Sequence, residues 1–141
     1  MSNLSEFELA FFDYLYNRDW ENIFNNFPIS IDFFIKDKNI LHYIATHDNT
    51  GEGFDILCEK YNKNEMKIMA ESFDSGGNSI YHLCAYNRDN LKMLENINKI
   101  IPAKKYIRYK NKLGQTPIDI AKYEGGSDWI NKFKNIYKKI K

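Results

Sequence analysis

The sequence is poor in the residues that staple or ligate small domains. It contains 2 cysteines, 3 prolines and 3 histidines in 141 residues. Neither Cys58 nor Cys84 belongs to a CxxC pair or to a metal-ligand spacing, so neither a disulfide framework nor a structural metal site is expected. We expect both cysteines to be buried small hydrophobic side chains in a reducing compartment.

An excess of charge of one sign is also missing. Lys and Arg number 20 and Asp and Glu 19, for a net charge of +1, so no global field favours nucleic acid or anionic lipid. The one basic stretch, 132–141, is interpreted as a solvated last helix whose cations suit the negative end of the helix dipole. No direct nucleic-acid partner is therefore expected.

Long apolar runs are absent, and none approaches the span of a membrane helix. Glu6 and Glu8 lie where a signal peptide would need a basic flank. We expect no membrane partner and an intracellular location, cytoplasmic, with the nucleus also compatible. The balance of 43% hydrophobic and 28% charged residues is that of an ordinary folded domain, so residues 1–141 are expected to form one.

A turn-to-helix motif is clearest in residues 111–125. Gly114 can supply a turn with positive φ, Thr116 can cap a helix, and Pro117 suits the first helical position. Ile118 and Ala121 then follow on one helix face. The segment therefore predicts a tight turn leading directly into an apolar helix.

Two further copies of this motif precede the clearest one. In residues 74–85 Gly77 is the turn glycine, Ser79 supplies the capping hydroxyl and His82 takes the position of Asp119. Cys84 and Ala85 take the positions of the small residues. In residues 36–45 Asn39 is the predicted cap, His42 takes the histidine position, and Asp37 replaces the turn glycine. A degenerate copy around Tyr16-Asn17-Arg18-Asp19 aligns with Tyr86-Asn87-Arg88-Asp89 and is expected to seal one end of a stack.

The three copies resemble the ankyrin pattern G-x-T-P-L-H-x-A. The resemblance implies an all-α ankyrin-repeat solenoid of about four irregular helix-turn-helix repeats, the terminal ones degenerate. The expected units are 1–35, a capping repeat, and repeats 36–72, 73–108 and 109–141. The structural motif residues it implies are His42, Ala45, Gly77, His82, Ala85, Gly114, Thr116, Pro117 and Ala121.

Each motif is followed by a segment with apolar residues at three- and four-residue spacing, which predicts a second helix. These helices are expected over 20–27, 54–61, 91–101 and 129–140. The longer repeats exceed the ankyrin unit of about 33 residues. The extra residues are expected in loops or longer second helices at 47–53, 62–71 and 100–105.

The short chain and stretched repeats are similar to the IκB-like viral ankyrins (vankyrins) of polydnaviruses, which hold Rel/NF-κB factors inactive. This resemblance implies a host protein as partner, with a Rel/NF-κB factor preferred and host immune signalling suppressed. Residues 74–79 have the spacing of an Asp-Ser-Gly-x-x-Ser degron, but a capping serine and a turn glycine are required there anyway. The alternative is an ankyrin adaptor or effector that binds a different host protein.

Catalytic, cofactor and metal sites are not predicted. His42 and His82 share a repeat position, so they are expected to bond backbone groups of adjacent turns, and His47 is expected to be solvated in a polar loop. Asp119 lacks a partner nucleophile and is interpreted as a polar substitute for histidine. The crowded N-terminal aromatics, Tyr16 among them, are interpreted as core, with exposed ones as potential interface anchors.

The expected function is therefore protein binding and not catalysis. Repeat stacks bind through turn tips and first helices, whose residues vary without harming the backbone. The candidate contact positions are Lys38, Ile40, Tyr43, Thr46, Asn78, Ile80, Tyr86, Arg88, Lys112 and Gln115.

Overall fold

The computed structural model describes residues 5–88 and 91–138, and for 137 and 138 only the backbone. This part of the chain forms nine helices and no strand, which confirms the all-α prediction. The helices are α1 (Glu6–Tyr16), α2 (Trp20–Asn26), α3 (Ile40–His47), α4 (Glu52–Lys60), α5 (Lys63–Glu71), α6 (Ile80–Ala85), α7 (Leu91–Ile100), α8 (Ala103–Tyr106) and α9 (Pro117–Lys138).

The helices pack in two rows with the core between them. In one row α1 contacts α3, α3 contacts α6, and α6 contacts α9. In the other row α2 contacts α4, α5 contacts α7, and α7 contacts α9, while α3 also packs on α4 and α5. Every residue of α6 and the first six residues of α3 are buried, because these short helices are covered on all sides.

Helix α5 corrects the expectation that 62–71 extends a loop or a second helix. Asn62 accepts a hydrogen bond from the Glu65 backbone N–H, and the Glu65 carboxylate accepts one from the Asn62 N–H, so the helix has a complete capping box. Its buried face consists of Met66, Met69 and Ala70. Part of 100–105 likewise lies in the short helix α8.

The motif helices begin with one reciprocal cap. The Asn39 side chain accepts from the His42 N–H, and His42 Nδ1 accepts from the Asn39 N–H at 3.1 Å. Ser79 and His82 repeat the arrangement. Ahead of α9, Thr116 takes the capping position and the Asp119 carboxylate accepts from the Thr116 N–H at 3.0 Å. Asp119 therefore accepts the same capping hydrogen bond that His42 and His82 accept in the other two copies.

The turns before these helices agree with the glycine pattern in two copies and depart from it in one. Gly77 and Gly114 have φ values of 74° and 78°, which side chains with a Cβ adopt at a cost. In the first copy the positive φ falls on Lys36, at 62°, and not on Asp37 as the alignment predicts. The reason is a tighter turn, closed by hydrogen bonds between the backbones of Ile35 and Lys38.

Hydrogen bonds join the tips of successive turns. Asp37 accepts from both the backbone N–H and the hydroxyl of Ser75. At the next interface the Lys112 N–H donates to the Gly76 carbonyl oxygen at 2.9 Å. The turn tips are thus linked once through side chains at the surface and once through the backbone.

The aligned arginines, Arg18 and Arg88, occupy equivalent places in the structure. Arg18 Nε donates to the carbonyl oxygen of His47 at 2.7 Å, and Arg88 Nη1 donates to that of Glu124 at 3.0 Å. His47 and Glu124 each lie five positions after the histidine position of their own copy. Each arginine therefore satisfies a late carbonyl of a first helix in another copy.

Helix α9 changes direction at Gly126, where φ is 65° and ψ is −158°. After the kink Trp129 is buried, and its Nε1 donates to the Ala85 carbonyl oxygen at 2.8 Å. In the basic stretch Phe133 and Ile136 are buried while Lys132 pairs with Asp128. Residues 139–141 of that stretch lie outside the described residues.

Two burial expectations are wrong. Cys84 is buried, but Cys58 is exposed. Helix α4 buries Phe54 and Leu57, and Cys58 lies on its outer face. His47 is half-buried at the end of α3, with its ring edge-on to Tyr16, and is not in a polar loop.

Replacing His82 with alanine should destabilise the protein by about 1–3 kcal/mol, because the Ser79 N–H would lose its partner and the Gln115 carbonyl would lose one of its two donors. Urea denaturation gives the value. His82→Asn can still accept from Ser79 but cannot reach Gln115, so its loss should be smaller. An alanine variant as stable as the parent would show that these bonds contribute nothing net.

Candidate protein-binding face

A groove of about 370 Å³ opens between the turn tips and the first helices. Five of the ten predicted contact positions line it. These five are Lys38, Tyr43, Thr46, Asn78 and Tyr86. His47, Asp74 and Leu83 complete the lining, so the groove spans the interface between α3 and α6.

The polar side of this groove, which we call the first-helix groove, is built around Asp74. Its carboxylate accepts hydrogen bonds from the backbone N–H groups of Gly76 and Asn78 and lies 3.4 Å from Lys38 Nζ. Lys38 Nζ also lies 3.2 Å from Asp37. Burial raises the pKa of Asp37, but hydrogen bonds from Ser75 and the neighbouring Lys38 outweigh it and hold that pKa at about 2. Lys38 thus pairs with two carboxylates on this side of the groove.

Ile40 and Ile80 are corrections to the predicted contact set. They are 1% and 0% exposed, because both occupy the first helical position, where Pro117 stands in the third copy and is also buried. Tyr43 lines the groove but is only 6% exposed, and its hydroxyl donates to the Ile35 carbonyl. It forms a wall of the groove and holds the first turn in place.

The remaining predicted positions lie beyond the groove. Lys112 is exposed at the next turn tip, and Gln115 is half-buried there, with its carbonyl bonded to Asn111 and His82. Arg88 is exposed, but its guanidinium serves the Glu124 carbonyl. Arg88 therefore belongs to the fold as much as to the surface.

An exposed tyrosine recurs four residues after the histidine position. Tyr16, Tyr86 and Tyr123 hold this place in three copies and Thr46 in the other. The tyrosines are 68%, 42% and 87% exposed. We call them the tyrosine row. Tyr123 was missed by the sequence analysis, although the constant offset from Phe12, His42, His82 and Asp119 was there to find it.

The N-terminal end of this face carries a second hollow of about 430 Å³, lined by Leu9, Phe12, Asp13, Tyr16 and Lys36. Phe12 stacks on Tyr16 with ring centroids 6.3 Å apart and meets Tyr43 edge-on at 5.9 Å. Aromatic contacts thus connect this hollow with the first-helix groove.

No known protein-family model matches the sequence. A comparison with curated proteins gives no match either. Among residues 5–88 and 91–138, no helix is long and apolar enough to cross a membrane, and no group of three or more His, Cys, Asp or Glu side chains could hold a metal ion.

The two motif histidines have their ring nitrogens engaged by backbone. Nε2 of His42 lies 2.9 Å from the Ser72 carbonyl oxygen, and Nε2 of His82 lies 2.8 Å from that of Gln115. Each Nδ1 accepts a backbone N–H, so the geometry assigns the neutral tautomer protonated at Nε2. Burial lowers the pKa of both rings. A proton added at Nδ1 would face another donor.

Stability should therefore fall as the pH drops below the unfolded-state histidine pKa of about 6.5. The folded-state pKa values of His42, His47 and His82 are all lowered, chiefly by burial, so the unfolded chain binds more protons in this window. The melting temperature should decrease steadily as the pH is lowered from 7.5 to 5. Asp37 does not titrate in this interval, because its pKa is held at about 2. A melting temperature that stays constant or rises as the pH is lowered would contradict the assignment of the motif histidines as neutral.

Proposed function

We propose that the chain is an ankyrin-repeat protein that binds another protein through the first-helix groove and the tyrosine row, and that it is not an enzyme. The observation that carries the proposal is the tyrosine row. One exposed aromatic residue returns at the same motif position in three copies, and one of the three, Tyr86, lines the first-helix groove.

Physical chemistry supports this choice of residue. Tyrosine offers large apolar area and a hydroxyl at a small cost in rotamer entropy, and it is enriched among the residues that dominate interface energies. Tyr16 and Tyr123 are exposed far beyond what packing requires, at 68% and 87%. Most of each side chain is therefore available for a partner, although Tyr16 also contacts the rings of Phe12 and His47.

The ankyrin assignment is supported by three features of the fold. Helix pairs form two rows, positive-φ turns precede the motif helices, and equivalent residues make equivalent bonds. The pair Arg18–His47 and Arg88–Glu124 is the clearest example, since donors and acceptors both recur at fixed motif offsets. Such nearest-neighbour links are what a stack of repeats requires.

For the partner we propose a Rel-type transcription factor, on the resemblance of the motif copies to short IκB-like ankyrins. A bound inhibitor would block DNA binding or nuclear entry by occupying the factor stoichiometrically. An adaptor role with a different protein target is the alternative, and the same face would serve it.

A competition assay separates the two roles. A Rel homology domain is bound to a fluorescent DNA site, and the protein is added at increasing concentration while anisotropy is followed. The inhibitor role predicts displacement at micromolar concentration or below. If no Rel domain tested releases its DNA, the inhibitor role falls and the adaptor role remains.

A further inference from the structure

A separate groove of about 490 Å³ lies on the opposite row of helices, between α4, α5 and α7. Its floor is apolar and includes Phe54, Met66 and Ile100, of which the first two are 6% and 4% exposed. The volume falls within the range of about 300–1,000 Å³ that is usual for small-molecule sites. We call it the lysine groove, after the three lysines in its lining.

The ionic groups that line this groove are all cationic. They are Lys63 and Lys67 from α5 and Lys99 from α7. None of the three forms an ion pair with any other described residue. Three ammonium groups thus surround an apolar floor without a carboxylate among the lining side chains.

The lining contains no carboxylate even though acidic residues are present on the same helices. On α4, Glu52 and Glu59 line a different hollow, shared with α2. On α5, the Glu65 carboxylate turns back to cap its own helix at the Asn62 N–H. These helices therefore keep their carboxylates out of the lining, although two lie close to it. Burial and the nearby Asp55 raise the pKa of the Cys58 thiol, and burial and Glu65 raise the pKa of the Tyr61 hydroxyl.

We propose that the lysine groove binds an anionic amphiphile, a long-chain carboxylate whose alkyl chain lies on the apolar floor and whose head group meets the lysines. An apolar chain gains from leaving water, and the head group remains at the rim, where ammonium groups can donate to it. The site is independent of the first-helix groove and of any protein partner.

Cys58 provides a reporter, since its thiol lines the lysine groove and is exposed, whereas Cys84 is buried. The rate of alkylation by neutral iodoacetamide is followed by intact mass at pH 8.5, with dodecanoate added below its micellar concentration. Dodecanoate should slow Cys58 alkylation saturably. Each methylene added to the probe should lower the Kd by about threefold to fourfold.

The lysines are tested with the combined change Lys63→Gln, Lys67→Gln and Lys99→Gln. It should raise the Kd for dodecanoate by about tenfold or more, while Lys92→Gln, at an exposed position of α7, should leave it unchanged. The melting temperatures of both variants test whether the fold is intact. Dodecan-1-ol should protect far less than dodecanoate.

Three outcomes would overturn the proposal. The first is an alkylation rate of the parent protein that dodecanoate leaves unchanged. The second is equal protection of the triple variant and the parent, which would leave no role for the lysines. The third is protection of Cys58 by an acidic amphipathic peptide but not by dodecanoate, which would make the groove a peptide site.

Discussion

Replacing Trp129 with alanine should lower the free energy of unfolding by about 3–5 kcal/mol, the usual cost of removing a large buried aromatic side chain. Trp129 is 3% exposed, and its indole N–H donates to the Ala85 carbonyl across the interface between α9 and α6. Its ring also meets Phe133 edge-on at 5.8 Å. Since small domains have about 5–15 kcal/mol in total, much of the stability should be lost.

Urea denaturation followed by far-ultraviolet circular dichroism measures this loss. Trp129→Phe is the matched control, because it keeps most of the packing and removes only the indole donor. Its loss should be smaller, about 1–3 kcal/mol for an unsatisfied buried carbonyl. Substitutions at exposed sites usually change the free energy of unfolding by less than about 0.5 kcal/mol. A loss that small for the alanine variant would show that the second part of α9 does not pack on α6 as described.

The double change Tyr86→Ala with Tyr123→Ala should weaken binding of the protein partner by at least about 2 kcal/mol, the threshold of an interface hot spot. The two rings belong to the tyrosine row, at adjacent motif helices. Tyr123 is 87% exposed and Tyr86 42%, so the melting temperature should change little. Isothermal titration calorimetry measures the affinity.

Arg88 is left unchanged in this design for a structural reason. Arg88 is a predicted contact position like Tyr86, yet its guanidinium donates to the Glu124 carbonyl. A glutamate at 88 would lose that bond and add a like charge near Glu124, so weakened binding could not be separated from a disturbed fold. The matched control is the triple lysine-groove variant, which changes the opposite row and should bind the protein partner normally. Equal affinity of parent and tyrosine variant would contradict the role of the tyrosine row.

Local signals in the sequence were sufficient for the helix starts. Caps such as Ser5, Asn39 and Ser79 satisfy backbone N–H groups a few residues away, so their effect can be read from spacing alone. The second helices follow the apolar periodicity for the same reason. Helix α5 had an equally local signal, Asn62 followed by Glu65, and was missed because a two-helix repeat leaves no place for it.

Burial and long-range bonds were harder to predict. Ile40 and Ile80 lie beside the turn tips in sequence, but the first helical turn points into the core, where Pro117 also lies. Cys58 follows the apolar residue Leu57 but lies on the outer face of α4.

The tertiary partner of a polar side chain is likewise invisible in a single sequence. Asn87 donates to the carbonyl oxygens of Ala45 and Asp48, and the spacing along the chain gives no sign of it. The alignment of Arg18 with Arg88 predicts equivalent positions for the two side chains, but it does not predict that each donates to a backbone carbonyl. These bonds join residues that are 29 to 42 positions apart in the sequence, so they depend on how the helices pack.

Differential capture tests the protein-binding account most directly. Immobilised parent protein, the Tyr86→Ala/Tyr123→Ala variant and the triple lysine-groove variant are exposed to the same lysate of the cells in which the protein is made, and bound proteins are quantified by mass spectrometry. The account predicts at least one protein retained by the parent and the lysine-groove variant and lost from the tyrosine variant. If every captured protein binds the parent and the tyrosine variant equally, the first-helix face is not the binding surface.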